Sequence, residues 1–388
     1  MRSEKTEITL VEKGVGECAE IIRKEAHGGR VLLFTEEGRA GEDATSALAR
    51  AGLAVTRRDV SIKTLGDYAS LSRQEIPEGT MAVVGAGGTA AMECAKAVRL
   101  PGSVPRLLIP FDLSALTALD KRAFFGTVGD VLSLSAEDAH VLFDREVLSS
   151  SGQIRTGLGI LLAWWVERLD TAYEALIEED ACPSIALESL KRTGKDLASI
   201  RESDAAKGVV DVALAWAEGE SVPNSHHAAS AHLLAMLAAR SSEGDYPDHL
   251  FSAAYALLRL YARYLGDLPL EHAAPPDRAR NAELLEKRCA LAPSPVLSRA
   301  KTYAATYDRR ARLTAEYRED FAEAMDDSVV AALSRVYRRA RKEEGESPLP
   351  PPTALLALLS LTGEAVSGYP LIKHIKTTGL LEPLLVAG

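Results

Sequence analysis

Residues 81–98, MAVVGAGGTAAMECAKAV, constrain what this chain can fold into more than any other stretch. The apolar run Met81–Val84 ends in Gly85-Ala86-Gly87-Gly88-Thr89. Ala91, Cys94, Ala95 and Val98 then fall on one face at helical spacing. A strand, a glycine turn and a helix follow from that order, and Leu107–Ile109 adds a further short apolar strand. Glycine lets the backbone of such a turn approach a phosphate closely, and the helix N-terminus offers unpaired N–H groups and a positive dipole end. Gly85, Gly87, Gly88 and Thr89 are therefore candidate pyrophosphate-binding residues. A turn that serves only strand-to-helix packing would need the same glycines.

Up to about Leu148 the chain alternates between strand and helix signals. Arg30–Phe34, Leu53–Val60, Met81–Val84, Arg106–Ile109 and His140–Phe143 read as strands, with helical patterns near 14–27, 41–51, 66–74 and 89–99. That alternation predicts a parallel, Rossmann-like sheet with helices on both faces over residues 1–150. Phe124–Leu134 reads as a small hairpin turning at Thr127–Asp130. After Ser149-Ser150-Ser151-Gly152 the strand signals stop. Helical patterns near 153–180, 184–200, 205–218, 224–241, 247–265, 278–291 and 310–343 predict an all-helical domain over 151–388, with a cleft between the two domains. Leu158, Leu161, Leu162, Trp165, Val166 and Leu169 form one apolar stripe, whereas Glu167 and Asp170 read as surface or inter-helix charges. Pro348–Pro352 makes a stiff break before a short helix at Ala354–Leu361.

Length and charge narrow the class. A chain of 388 residues suits two domains, and 26% charged with 47% hydrophobic residues describes a globular protein. A net charge of −10 speaks against a nucleic-acid binder, and the basic run Arg338–Lys342 reads as a solvated helix face. The four cysteines, Cys18, Cys94, Cys182 and Cys289, form no CxxC pair, so no disulfide framework or zinc finger is expected. No apolar segment reaches membrane-spanning length, and MRSEKTEITL has no signal-peptide core. A cytoplasmic protein with no membrane partner is expected.

The parallel first half, the Gly85–Lys96 turn-helix and the helical second half together resemble the dehydroquinate synthase-like superfamily, which includes the iron-containing alcohol dehydrogenases, the glycerol and glycerol-1-phosphate dehydrogenases and the sugar-phosphate cyclases. Val11–Ile22 is similar to the opening strand, GxG turn and helix of that group. Gly85–Lys96 is similar to its GGGS…D…AK motif, with Glu93 in place of the acid. Ile109-Pro110, followed by Ser114 and Thr117, stands where the group has an IPTT-type segment, and Val141–Asp144 with Val147-Leu148 resembles the element that ends its first domain. Arg155–Tyr173 is similar to the GLGD helix of the glycerol-1-phosphate dehydrogenases, and His249–Leu268 to the cyclase helix that begins with HGEAV. The resemblance implies NAD or NADP as cofactor, with Gly85, Gly87, Gly88, Thr89, Ser114 and Thr117 as its binding residues, and a small-molecule substrate in the cleft. A homodimer is a further possibility.

The ligand positions depart from the pattern. Members hold a divalent metal with one acid and two histidines, where it polarises a substrate oxygen. Here the acid position reads Gly159-Ile160, and four residues before His232 stands Ala228 rather than a second histidine. His226 and His227 lie six and five residues before His232, off its helix face. Only His249 matches a family ligand position. A catalytic metal is therefore not expected, and if one is bound, His249 and His227 are its candidate ligands. His232, His249 and Lys121 are the candidate catalytic residues, and Asp112, Asp120 and His227 the candidate substrate contacts. His140 and His374 have no constellation around them.

Three functions remain open on this reading. One is a divergent NAD(P)-dependent oxidoreductase acting, without the usual metal, on a small polyol, carbonyl or sugar-phosphate-like compound. Another is a cyclase or lyase that uses NAD transiently. The third is a repurposed, non-enzymatic protein of the same fold.

Overall fold

The computed structural model describes residues 7–61, 76–98, 104–120, 122–127, 130–135, 139–179, 181–219, 230–241, 246–266, 306–325, 327–345, 351–365, 368 and 370–386. Expected helices at 66–74 and 278–291, and the expected site residues Lys121 and His227, lie outside them.

Among the described residues, six strands make one parallel sheet: β1 Glu7–Val11, β2 Arg30–Thr35, β3 Ala54–Asp59, β4 Thr80–Gly87, β5 Arg106–Pro110 and β8 Ala139–Asp144. Their order across the sheet is β1-β8-β5-β4-β2-β3. β6 Arg122–Thr127 and β7 Asp130–Ser135 form the expected hairpin, closed at the Thr127–Asp130 pair. Both faces of the sheet are covered, which is why β2, RVLLFT, is a continuous apolar run rather than an alternating one. On one face Val31, Leu33, Val84, Leu107, Ile109 and Leu142 pack against α1 Val15–Glu25 and α2 Arg39–Arg50. On the other, Leu32, Phe34, Val83, Leu108 and Phe143 join α3 Thr89–Ala97 and the helical half in one continuous core. Gly85 permits that contact, since a Cβ there would lie 2.8 Å from the Ala95 Cβ and 2.9 Å from the Ala91 carbonyl of α3.

The remaining described elements are helices. Short α4 Arg145–Ser150 leads to α5 Ile154–Glu179, followed by α6 Ser184–Ser199, α7 Ala205–Glu218, α8 Ser230–Ser241 and α9 Tyr246–Gly266. Helix α5 is the axis of this half, and its apolar stripe from Leu158 to Leu169 is buried as the periodicity predicts. Its opposite side is buried too: Glu167 and Asp170 are fully inside, so of the two expected places, surface or between helices, they take the interior one. The single helix expected over 310–343 is three: α10 Tyr307–Glu316, α11 Arg318–Ala324 and α12 Asp327–Glu344. Tyr317 and Met325 leave helical geometry with no glycine or proline to signal it. Between the two breaks, Phe321 is buried edge-on against Tyr173. Beyond them lie α13 Pro352–Ala365, α14 Leu371–Thr378 and α15 Leu381–Val386. No helix among the described residues is long and apolar enough to cross a membrane.

Gly159 brings α5 and α9 into direct backbone contact, because a Cβ at this position would lie 2.7 Å from the backbone nitrogen of Phe251. Alanine gains up to about 1 kcal/mol of helix propensity over glycine. Backbone cannot yield as a side chain tip does, and overpacking costs about 1–3 kcal/mol. Gly159→Ala is therefore expected to lower the unfolding free energy, read as a lower urea midpoint; an unchanged or raised midpoint would contradict this packing.

Candidate active site

The sheet order places a cleft at one point. From β2 the chain moves outward to β3, and from β4 it moves the other way to β5, so the gap between the carboxyl ends of β2 and β4 is a topological switch point. Glu36 follows β2 and Gly88 follows β4, brought together by the Thr35–Ala86 register. A cavity of about 480 Å³ opens there, between the sheet and the starts of α5 and α9. Its lining includes Gly88, Thr89, Ser114, Gln153, Thr156 and Tyr246. Glu36, Glu37, Asp59, Glu93, Asp112 and Asp248 also line it, with no lysine or arginine among the described lining residues.

The glycine turn is shaped as expected, and its amides already have an acceptor. Gly87 has φ +145°, a conformation that L side chains rarely adopt, and Gly88 is the N-cap of α3. The Glu36 carboxylate accepts from the backbone N–H groups of Gly88 at 2.6 Å, Ala90 at 2.9 Å and Ala91 at 3.2 Å. It thereby satisfies the donors that a helix start leaves unpaired, in the favourable field of the helix dipole. Burial raises the Glu36 carboxyl pKa, against the lowering effect of these three bonds and with Asp112 adding to the rise. Ser114 receives the Thr89 N–H on its hydroxyl at 3.3 Å and the Thr89 hydroxyl on its carbonyl at 2.6 Å. Asp112 accepts from Ser114 N at 2.8 Å, capping the 3-10 helix Leu113–Leu119. Gly85 and Thr117 lie in the packed interior and do not line the cavity.

Behind the cavity is a buried ionic cluster. Lys96 pairs with Glu93 at 2.8 Å and donates to the carbonyls of Thr117, Asp120 and Arg122 at 3.0, 3.3 and 2.5 Å. The Arg122 guanidinium bridges Asp120 at 2.8 Å and Glu167 at 2.6 Å, and Trp164 donates to Asp120 at 3.2 Å. Asp120 is thus spent inside this cluster instead of facing a substrate, and Arg122 together with its other partners holds its pKa low despite burial. Burial pushes the Glu167 carboxyl up to about 8, with Arg122 opposing. His232 lies with Nε2 3.8 Å from Glu167 Oε1 and Nδ1 hydrogen-bonded to the Tyr246 hydroxyl. Burial, then the field of Arg122, lowers its pKa to about 3. Near neutral pH Glu167 therefore carries the proton and His232 is neutral. Lys96 and Arg122 then balance Glu93 and Asp120.

Of the metal-ligand positions implied by the resemblance, the acid position carries no ligand. Ile160 is buried in the apolar core, and Gly159 is closed off by Phe251. His249 is buried on α9, and His227 and Ala228 lie outside the described residues. Among the described residues no three His, Cys, Asp or Glu side chains are grouped to hold a metal. His374 stands in an aromatic nest of Tyr173, Tyr264 and Tyr307, and His140 bonds Thr9 at the β1–β8 junction.

Solved structures sharing this architecture span the chain end to end. An iron-containing alcohol dehydrogenase of Corynebacterium glutamicum is 13% identical, covers 99% of this chain and 95% of its own, and has a TM-score of 0.58. The fold is that of the iron-containing alcohol dehydrogenases. One from Thermotoga maritima is 14% identical over 99% and 98%, with a TM-score of 0.56. A glycerol dehydrogenase of Schizosaccharomyces pombe with the same fold is 15% identical over 99% and 90%, also at 0.56. No protein-family model and no curated protein matches the chain in sequence. The iron-containing alcohol dehydrogenase fold is thus present with altered residues at two of the three positions that the resemblance assigns to the metal, His249 being kept.

Glu36, Tyr246 and Glu167 are the site residues that sequence reasoning missed. Tyr246 stands three residues before His249 on the same helix, a spacing visible in the sequence, but Glu36 carries no local signal at all.

Two outcomes follow from the cluster. Between pH 6.5 and 8 an unfolded chain has already lost the Glu167 proton while the folded one retains it, so stability falls as pH rises through this window. Buried Asp170, pushed up to about 7, adds to the fall, while His232 and His374 act only below pH 6.5. Glu167→Gln is expected to flatten the fall in urea-unfolding free energy over this window; an identical slope would refute the assignment. Protein purified without chelator is expected to carry well below one equivalent of zinc or iron by elemental analysis. A stoichiometric metal lost in His249→Ala would overturn that expectation.

Proposed function

We propose that this chain is a metal-independent, NAD(P)-linked oxidoreductase that interconverts a small uncharged polyol and its carbonyl form in the interdomain cleft. The observation that carries the reading is Tyr246: it lines the cavity while its hydroxyl bonds His232, which in turn faces protonated Glu167. Burial raises the Tyr246 pKa well above its ordinary value, so the hydroxyl stays protonated near neutral pH and gives up its proton only to a strongly basic oxygen such as a developing alkoxide. NAD(P), when bound, supplies the hydride exchange. As a carbonyl is reduced, Tyr246 gives its proton to the developing alkoxide oxygen. His232, in the tautomer with its proton on Nδ1, restores the proton to Tyr246 and takes the Glu167 proton on Nε2 after a small approach across the 3.8 Å gap. Arg122 stabilises the carboxylate that this leaves on Glu167. Tyr246 thereby supplies the oxygen contact that a metal would otherwise make.

The acidic lining supports an uncharged substrate over a phosphorylated or carboxylated sugar, which argues for this reading over the cyclase. The same field predicts weak, high-micromolar to millimolar dinucleotide binding. The filled glycine turn is what favours the repurposed, non-enzymatic alternative.

Polyol oxidation with NAD⁺ and NADP⁺, assayed in chelator, tests the proposal. Tyr246→Phe is expected to lower kcat by about 10²-fold or more with unchanged NADH affinity. Full activity in that variant would remove Tyr246 from the mechanism. Absence of NADH and NADPH binding by the wild type at millimolar concentration would remove the oxidoreductase reading altogether.

A further inference from the structure

We propose that Glu36 is a resident anion of the glycine turn, competing with any incoming phosphate for the same backbone donors and so setting which anions the cleft admits. This rests on the reading of the cleft as a dinucleotide site. Three amides of one turn, Gly88, Ala90 and Ala91, converge on the two oxygens of a single carboxylate. These are the N–H groups through which a helix start at a switch point binds a phosphate. The glycines that permit close approach are in use as well. A Cβ on Gly87 would lie 2.8 Å from Glu36 Oε2, and one on Gly88 3.0 and 3.2 Å from the two Glu36 oxygens. Glu36 therefore lies against the bare backbone face that a phosphate would need.

Phosphate and carboxylate exclude each other sterically and by charge. Glu37, Asp59 and Asp112 line the same cavity, so a displaced Glu36 swings into a field that is already negative. None of the described lining residues is a cation that could hold it outside. The three donors hold Glu36 in the turn against the cost of burial and the repulsion of Asp112, and a displaced Glu36 would lose those donors while staying near the same acids. Glu37 offers an internal control. It lines the cavity beside Glu36 and carries the same charge, while the three amide bonds belong to Glu36.

Calorimetric titration of the full-length protein with inorganic pyrophosphate tests the idea without requiring turnover. Glu36→Ala is expected to bind pyrophosphate at least about ten-fold more tightly than wild type, and Glu36→Gln to lie between them. Glu37→Gln, which removes charge without vacating the turn, is expected to change affinity by less than about three-fold. Glu36→Gln keeps two helix-capping contacts and serves if Glu36→Ala fails to fold. Equal or weaker binding in the Glu36 variants, no binding by any protein, or an equal gain in Glu37→Gln would each overturn the proposal. A parallel NADH titration separates the two readings. Tighter pyrophosphate without NADH binding upholds the role of Glu36 and rejects the oxidoreductase. NADH binding that is the same in wild type and both Glu36 variants does the reverse.

Discussion

Two buried cations join the sheet to the helices. Lys96, on α3, gathers the carbonyls of Thr117, Asp120 and Arg122, and so pins the segment that leads from β5 to the hairpin. Arg122 then reaches from that segment to Glu167 at the middle of α5. Desolvating such ions is costly, and the cost is met only because each has several partners. Removing either cation would leave carboxylates buried without compensation, at about 3–5 kcal/mol. The cluster lies behind the cleft, with Glu93 in the cavity lining and Glu167 beside His232, which bonds the Tyr246 hydroxyl.

The fold was largely legible because it rests on local periodicity. The run Arg30–Phe34, the glycine turn and the stripe from Leu158 to Leu169 each declare their element within a few residues, and each occupies the place it implied. The breaks at Tyr317 and Met325 were not legible, since no glycine or proline marks them. For Glu167 and Asp170 the sequence left two places open, the surface or a position between helices. Charges beside an apolar stripe ordinarily face water, but α5 is surrounded, and Asp170 is used to accept from the Ser230 hydroxyl at 2.7 Å and the Leu371 amide at 3.0 Å.

The site was legible only in outline. Gly88, Thr89, Ser114 and Asp112 do meet at the cleft, and His232 does stand behind it. Glu36 could not be anticipated, because it meets Gly88 across 52 residues through the pairing of β2 with β4. A carboxylate after a buried strand is unremarkable until the neighbouring strand is known. Similarly, Gly159-Ile160 reads as a missing ligand in the sequence, yet in three dimensions it is a packing solution that draws α9 onto α5.

The start of α5 shows the same chemistry as the glycine turn, with a consequence in time rather than in affinity. Glu344, in the last turn of α12, accepts from the amides of Ile154 at 2.6 Å and Arg155 at 2.9 Å, and Arg155 reaches back to the carbonyls of Glu344 and Gly345. The first turn of the central helix is therefore completed by a residue 190 positions downstream. At about 5–20 residues per second, a ribosome needs about 10–40 seconds to deliver that cap. Gln153 and Thr156, which flank the capped turn, form part of the cavity wall. The sheet side of the cleft can form early on the nascent chain, and its helical side must wait for nearly the whole chain to emerge.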